Sequence, residues 1–110
     1  MSEKTTTLIV FASPAEGKEK EFNDWYDNIH LPEFVALPGV VSGQRFSVAP
    51  TSPPAKTGYA AIYELSATPA EVMGAMDAAI KDGSMHMSDA IDMTSVSITA
   101  WEPHGSQVRS

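Results

Sequence analysis

The sequence contains no cysteine, which excludes disulfides, thiolate catalysis and cysteine-held metal or iron–sulfur sites. Basic residues are also scarce, since 7 Lys and Arg stand against 14 Asp and Glu and leave a net charge of −7. Nucleic-acid binding needs clustered basic side chains, so this composition argues against it. No apolar run approaches the ~18 residues of a membrane span, and the first residues lack the long apolar region of a signal peptide. We therefore expect a cytoplasmic protein that does not bind membranes.

What the chain does contain is enough for one folded domain. Its 110 residues are 43% apolar and 19% charged, an ordinary balance for a protein with a single core. We expect residues 1–103 to form this domain and residues 104–110 to form a polar tail.

The pattern of apolar residues predicts four strands and two helical regions. β-branched or alternating segments predict four strands, at residues 5–12, 40–49, 59–65 and 94–101. One helix is expected from about Lys18, followed by a short helical piece at residues 32–37, and a second helix begins at a capping box, Thr68 to Glu71, and ends at Gly83. Residues 50–58 are predicted to be a proline-rich loop, and residues 84–93 a loop or a broken helical turn.

The order βαββαβ predicts an α+β, ferredoxin-like fold: a four-stranded antiparallel sheet with two helices on one face. Two helices cover one face only, yet the first, third and fourth predicted strands are apolar or small on both faces. We therefore expect a homodimer that packs sheet to sheet and closes into an α/β barrel.

The segment EFNDWYDNIHLPEFVALPG, residues 21–39, is the candidate site. On an α-helix, Phe22, Trp25, Tyr26 and Ile29 share one face, which we expect to be buried. His30 then lies at the edge of that face, next to the phenol of Tyr26. Its unperturbed pKa of about 6.5 suits a general acid or base, whereas the structural alternative is a histidine that ends the helix.

Six further side chains are candidates, each with a structural alternative. Tyr26 is a hydrogen-bond donor to a ligand oxygen or a core phenol, and Arg45 binds an anionic group or pairs with Glu64. Trp25, Tyr59 and Tyr63 line a pocket or pack in the core. His86 reaches the cavity mouth, with Asp89 as a possible partner, or is an exposed loop residue.

Cofactor chemistry has little support in the sequence. His30, His86 and carboxylates are the available ligands for a metal or haem, but no compact motif such as HExxH is present. There is also no GxGxxG, phosphate-binding loop or nucleophile elbow. We expect no cofactor and no metal.

The block FNDWYDNIHLPEFVALPGVVSGQRF resembles the EthD-like branch of the dimeric α/β-barrel superfamily, and the order of elements agrees over the whole chain. The resemblance places His30 at the family's helix histidine, Trp25 and Tyr26 at its aromatic pair, and Arg45 at its basic strand residue. It implies a dimeric barrel, but members of the superfamily perform different reactions, so the fold does not choose among them.

Three functions remain open from these residues. The first is a cofactor-independent lyase, isomerase or cyclase that acts on an apolar carbonyl-bearing or phenolic molecule. In it His30 moves a proton, Tyr26 polarises the oxygen and Arg45 holds an anionic or enolate group. The second is a non-catalytic protein that binds a small molecule or assists a partner enzyme. The third is a cofactor-free monooxygenase acting on a phenol.

Overall fold

The computed structural model describes residues 5–48 and 58–110 and confirms the predicted fold class. Four antiparallel strands form one sheet in the order β2-β3-β1-β4. Their bounds are Thr6–Pro14 for β1, Val40–Val48 for β2, Gly58–Leu65 for β3 and Ile91–Trp101 for β4. The register pairs Leu8 with Tyr63 and with Ala100, so alternate residues of neighbouring strands share a face.

Two helical regions complete the βαββαβ order. The first consists of α1 (Glu19–Trp25), a π-helical turn (Tyr26–His30) and α2 (Leu31–Val35). The second is α3 (Pro69–Asp82), which begins where Thr68 accepts the N–H of Glu71 and ends at Gly83 in the left-handed conformation, as predicted. None of the helices in the described ranges is long and apolar enough to cross a membrane.

The first helical region corrects the prediction of a separate piece beginning at Pro32. Trp25, Tyr26, His30 and Leu31 all have right-handed helical dihedrals, so the backbone is continuous from α1 to α2. Leu31 N–H donates to the carbonyl of Tyr26, the i−5 bond of a π turn. Pro32 directly follows this turn, where the i−4 hydrogen-bond pattern is already interrupted, so the missing N–H of a proline is tolerated there.

The π turn also changes which side chains are buried. Ile29, expected on the inward face, is 41% exposed, whereas His30 is only 8% exposed. A π turn holds more residues than an α turn, so it rotates the residues that follow away from the α-helical spacing. His30 therefore lies within the helix–sheet interface and not at its edge.

β1 runs to Pro14 and not to residue 12 as predicted, and β4 also begins earlier than predicted. β4 begins at Ile91, because after a bulge Ser13 and Pro14 of β1 pair with Asp92 and Ile91. Residues 91–93 are therefore strand and not loop. The proline-rich segment at residues 50–57 lies outside the described residues, and residues 102–110 are exposed and form no helix or strand.

Both helical regions lie on the face of the sheet that carries Leu8, Ala61 and Tyr63. These three residues are at most 1% exposed and form the core together with Phe22 of α1 and Val72 of α3. Gly43 of β2 gives Tyr63 its place, since a Cβ there would lie 2.7 Å from the Tyr63 ring and 2.8 Å from Val35. A glycine is therefore needed in mid-strand to let this phenol pack flat on the sheet.

Candidate active site

A cavity of about 120 Å³ lies between the helices and the sheet. Its wall is almost entirely apolar and includes four of the six methionines of the chain. The more exposed lining residues, Met87, Met93 and Ile98, mark its open side next to edge strand β4. The lining residues are Val10, Tyr26, His30, Phe34, Tyr63, Met73, Met76, Met87, Ile91, Met93, Val96 and Ile98.

His30 is the one imidazole on this wall, and aromatic rings hold it in place. Its ring stacks on Trp25 at a centroid distance of 4.6 Å and meets the edge of Tyr26 at 4.9 Å. Nδ1 is buried and has no hydrogen-bond partner among the described residues. The ring is thus fixed by packing and not by hydrogen bonds, so Nδ1 is available to bond a ligand.

Burial lowers the pKa of His30 to about 4, although the nearby carboxylate of Glu33 acts in the opposite direction. The imidazole is therefore neutral at pH 7. A neutral ring can accept a proton, but the resulting cation is stable here only when a negative charge develops beside it.

The same burial predicts that the fold weakens in acid. An unfolded histidine takes up its proton near pH 6.5, whereas the buried ring resists it until about pH 4. The free energy of unfolding is therefore highest above pH 6.5. It falls with the pH, by roughly 2 kcal/mol at pH 5 and about 3 kcal/mol below pH 4. Urea unfolding at pH 7.5 and pH 5 measures this difference.

Two variants isolate the contribution of His30 to this acid effect. In His30→Gln the difference in the free energy of unfolding between pH 7.5 and pH 5 should shrink by roughly 2 kcal/mol, because glutamine does not titrate. His104→Gln is the matched control, since His104 is exposed and its loss should leave the difference unchanged. An identical pH dependence in His30→Gln and the native chain would contradict a neutral buried His30.

Two phenols of the cavity wall form a pair. The hydroxyl of Tyr26 lies 3.3 Å from that of Tyr63, and both residues are buried. Burial raises the pKa of both phenols, so both hydroxyls keep their protons at neutral pH. The pair is thus a hydrogen-bond donor beside the ring of His30.

Arg45 points toward the helices but does not line the cavity. Its guanidinium donates to Asp27 Oδ1 and to Asn23 Oδ1, each at 2.8 Å, and its Cζ lies 4.5 Å from the centre of the Tyr26 ring. The alternative in which Arg45 pairs with Glu64 is wrong, because Glu64 lies on the opposite face of the sheet. Its carboxylate accepts a hydrogen bond from Thr7 Oγ1 at 2.8 Å. Arg45 therefore supports the outer side of Tyr26.

Trp25 and His86 connect the cavity wall to the segment before β4. Trp25 Nε1 donates to the carbonyl of His86 at 2.9 Å, and the backbone N–H of His86 donates to Glu33 Oε1 at 2.8 Å. Its ring Nδ1 lies 2.7 Å from Glu33 Oε2. Desolvation raises the pKa of Glu33, but the hydrogen bonds from His86 outweigh it and hold this pKa below its usual range. Asp89 pairs with Lys18 at 3.3 Å and not with His86.

Of the predicted site residues, the structure brings three together at the cavity: His30, Tyr26 and Tyr63. The other predicted residues surround them, since Trp25 and Arg45 pack behind the wall, His86 anchors the next segment, and Tyr59 donates its hydroxyl to Glu19 at 2.6 Å. Sequence reasoning did not single out Phe34 or Glu33. Phe34 follows His30 by four residues on the continued helix, which was the available signal.

Comparison with known proteins adds no assignment. No protein family model matches the chain, and searches of curated proteins and of solved structures find no match. The resemblance to the EthD-like family stays a prediction. Within residues 5–48 and 58–110, no group of three or more His, Asp or Glu side chains is arranged to hold a metal ion.

Proposed function

We propose that the chain is a small acid–base enzyme of the lyase, isomerase or cyclase type, in which His30 moves a proton on an apolar carbonyl-bearing or phenolic molecule. The observation that carries this proposal is the position of His30 on the wall of an apolar cavity: one imidazole, fixed by ring packing, whose Nδ1 has no hydrogen bond from residues 5–48 or 58–110. A titratable group in such a cavity is the usual mark of a reactive site.

The chemistry follows from the neutral state of the ring. His30 accepts a proton from a carbon next to a carbonyl group, and the electrons of the C–H bond move toward the carbonyl oxygen. The hydroxyl pair of Tyr26 and Tyr63 donates a hydrogen bond to that oxygen as its charge develops. The negative charge on the oxygen stabilises the imidazolium, and the proton then returns to a different carbon or to the oxygen.

The experiment that tests this proposal measures proton transfer without knowledge of the natural substrate. Cyclohexanone, a ring ketone with exchangeable C–H bonds, is incubated with the protein in D₂O, and carbon-bound deuterium is followed by NMR. Exchange faster than in buffer alone supports the proposal. Binding with no faster exchange favours the alternative of a non-catalytic binding or accessory protein, and oxygen consumption with a phenol favours the monooxygenase.

The outer face of the sheet supports the homodimer. Phe11 of β1 and Phe46 of β2 both pair with Ala60 of β3, so three apolar side chains form one row across the sheet. Phe11 and Phe46 are 40% and 42% exposed. The row faces away from the helices, and a second copy placed sheet to sheet would bury both phenyl rings.

Light scattering tests this assembly. We expect a mass of twice 11.8 kDa for the native chain, because two such faces bury each other's phenyl rings. Phe46→Glu should shift it toward the monomer, since the charge would be buried in the contact. A monomeric native chain would contradict the dimer. The cytoplasmic location stays a prediction.

A further inference from the structure

The size of the cavity limits the ligand to about one ring. An engineered apolar protein cavity of about 150 Å³ holds one benzene molecule, and the cavity beside His30 has about 120 Å³ with an open side toward β4. A single six-membered ring fills this volume, and a substituent can extend past Met87 and Met93 at the mouth. A second fused ring would have to displace packed core side chains.

The charges around the cavity limit the ligand further. Among the residues that the structure describes, no Asp, Glu, Lys or Arg belongs to its wall, and His30 is neutral at pH 7. Arg45 packs on the Tyr26 ring, but its guanidinium is held by Asp27 and Asn23 and does not belong to the wall. A carboxylate or phosphate in the cavity would thus be buried without a counter-charge, which is costly. The wall selects an uncharged molecule.

The hydroxyl pair requires an acceptor. Two phenols carry two O–H protons, but the single contact between Tyr26 and Tyr63 uses only one of them. The second proton has no acceptor among the described residues, and both side chains line the cavity. A buried donor without a partner costs free energy that a ligand oxygen would recover.

We propose that the cavity binds an uncharged, single-ring molecule whose one oxygen, a ketone carbonyl or a phenol hydroxyl, accepts the spare proton of the Tyr26–Tyr63 pair. This inference rests on the proposed function in one respect: the ligand oxygen that accepts from the hydroxyl pair is the one that lies beside His30. It replaces the expectation that Arg45 holds an anionic group. Arg45 acts instead as a positioning residue behind the Tyr26 ring.

Methionine methyl NMR tests the ligand class independently of turnover. Met73, Met76, Met87 and Met93 line the cavity, whereas Met85 is buried outside its wall and serves as the internal reference. Cyclohexanone and phenol should shift the four lining signals. Benzene, which lacks the oxygen, should bind about fivefold more weakly than phenol. Benzoate, which adds a charge, should bind at least ~10-fold more weakly than phenol. 2-Naphthol, which adds a ring, should also bind more weakly.

Variants assign the oxygen preference to the hydroxyl pair. The double variant Tyr26→Phe/Tyr63→Phe removes both hydroxyls at once, a change that leaves no unpaired group and is therefore expected to fold. It should lose most of the native preference for phenol over benzene, because only a contact between the phenol hydroxyl and His30 Nδ1 would remain. Tyr59→Phe removes a phenol hydroxyl bonded to Glu19 and away from the cavity, so it should keep the native preference of about fivefold.

The outcomes separate this inference from the proposed function. If the predicted preferences are observed but no carbon-bound deuterium forms, the ligand class stands and the acid–base proposal fails. If benzoate binds as tightly as phenol, if 2-naphthol binds more tightly, or if no probe shifts the lining methionines, the ligand class is wrong whatever the exchange experiment shows. A double variant that keeps the native preference for phenol over benzene would show that the hydroxyl pair is not the source of this preference.

Discussion

Replacing His30 by glutamine is expected to slow deuterium exchange into cyclohexanone by roughly 10²–10⁴-fold, the usual contribution of a positioned general base. Glutamine has a comparable size and keeps hydrogen-bonding atoms, but it cannot take up a proton. The loss should appear in kcat, while the Kd for cyclohexanone changes only a few-fold. That division separates a proton-transfer role from a role in binding.

The pH profile of the native chain gives an independent check. Because burial lowers the pKa of His30 to about 4, the active neutral ring is already present at pH 5, and kcat/KM should reach its plateau there. An exposed histidine would give a midpoint near 6.5. The measurement needs a parallel check by circular dichroism, since the fold itself weakens over the same range.

His104→Gln provides the matched control for this variant. It makes the same chemical change in the exposed tail and should leave both the rate and the profile unchanged. If His30→Gln exchanged deuterium at the native rate, His30 would be a packing residue of the cavity wall, and the binding alternative would be preferred.

The fold was predictable because its signals are local and short in range. Alternating residues identified the strands, and the capping box and Gly83 identified the bounds of α3, since each of these depends on a few neighbouring residues. The start of β4 was not predictable, because Ile91 joins the strand through pairing with Pro14, a contact between distant parts of the chain.

The site was only partly predictable, for two physical reasons. A π turn has no sequence signature in the α-helical pattern, so the exposure of Ile29 and the burial of His30 could not be read from spacing. Alternation groups Arg45 with other residues of one face of the sheet but does not say whether the helices cover that face. The answer depends on the tertiary contacts of Arg45 with Asp27 and Asn23.

Phe22 of α1 is one of the largest fully buried side chains of the core beneath this site. Its ring centroid lies 5.6 Å from that of Tyr26 and 5.7 Å from that of Tyr59. The guanidinium of Arg45 lies 5.5 Å from its centre. Phe22 therefore holds the helix against the sheet where Tyr26 and Arg45 must be positioned.

Truncation of Phe22 to alanine should reduce the free energy of unfolding by about 3–5 kcal/mol, because the lost burial is followed by a cavity that the fixed neighbours cannot fill. For a small domain this is a large part of the total, typically about 5–15 kcal/mol. Urea unfolding measures the loss, and Ile29→Ala is the control on the same helix. An unbroken α-helix would place Ile29 on the same face as Phe22, whereas the π turn leaves it 41% exposed, so its truncation should cost less than about 1 kcal/mol. Equal losses for the two variants would mean that the helix has no π turn, and His30 would then return to the rim of the apolar face.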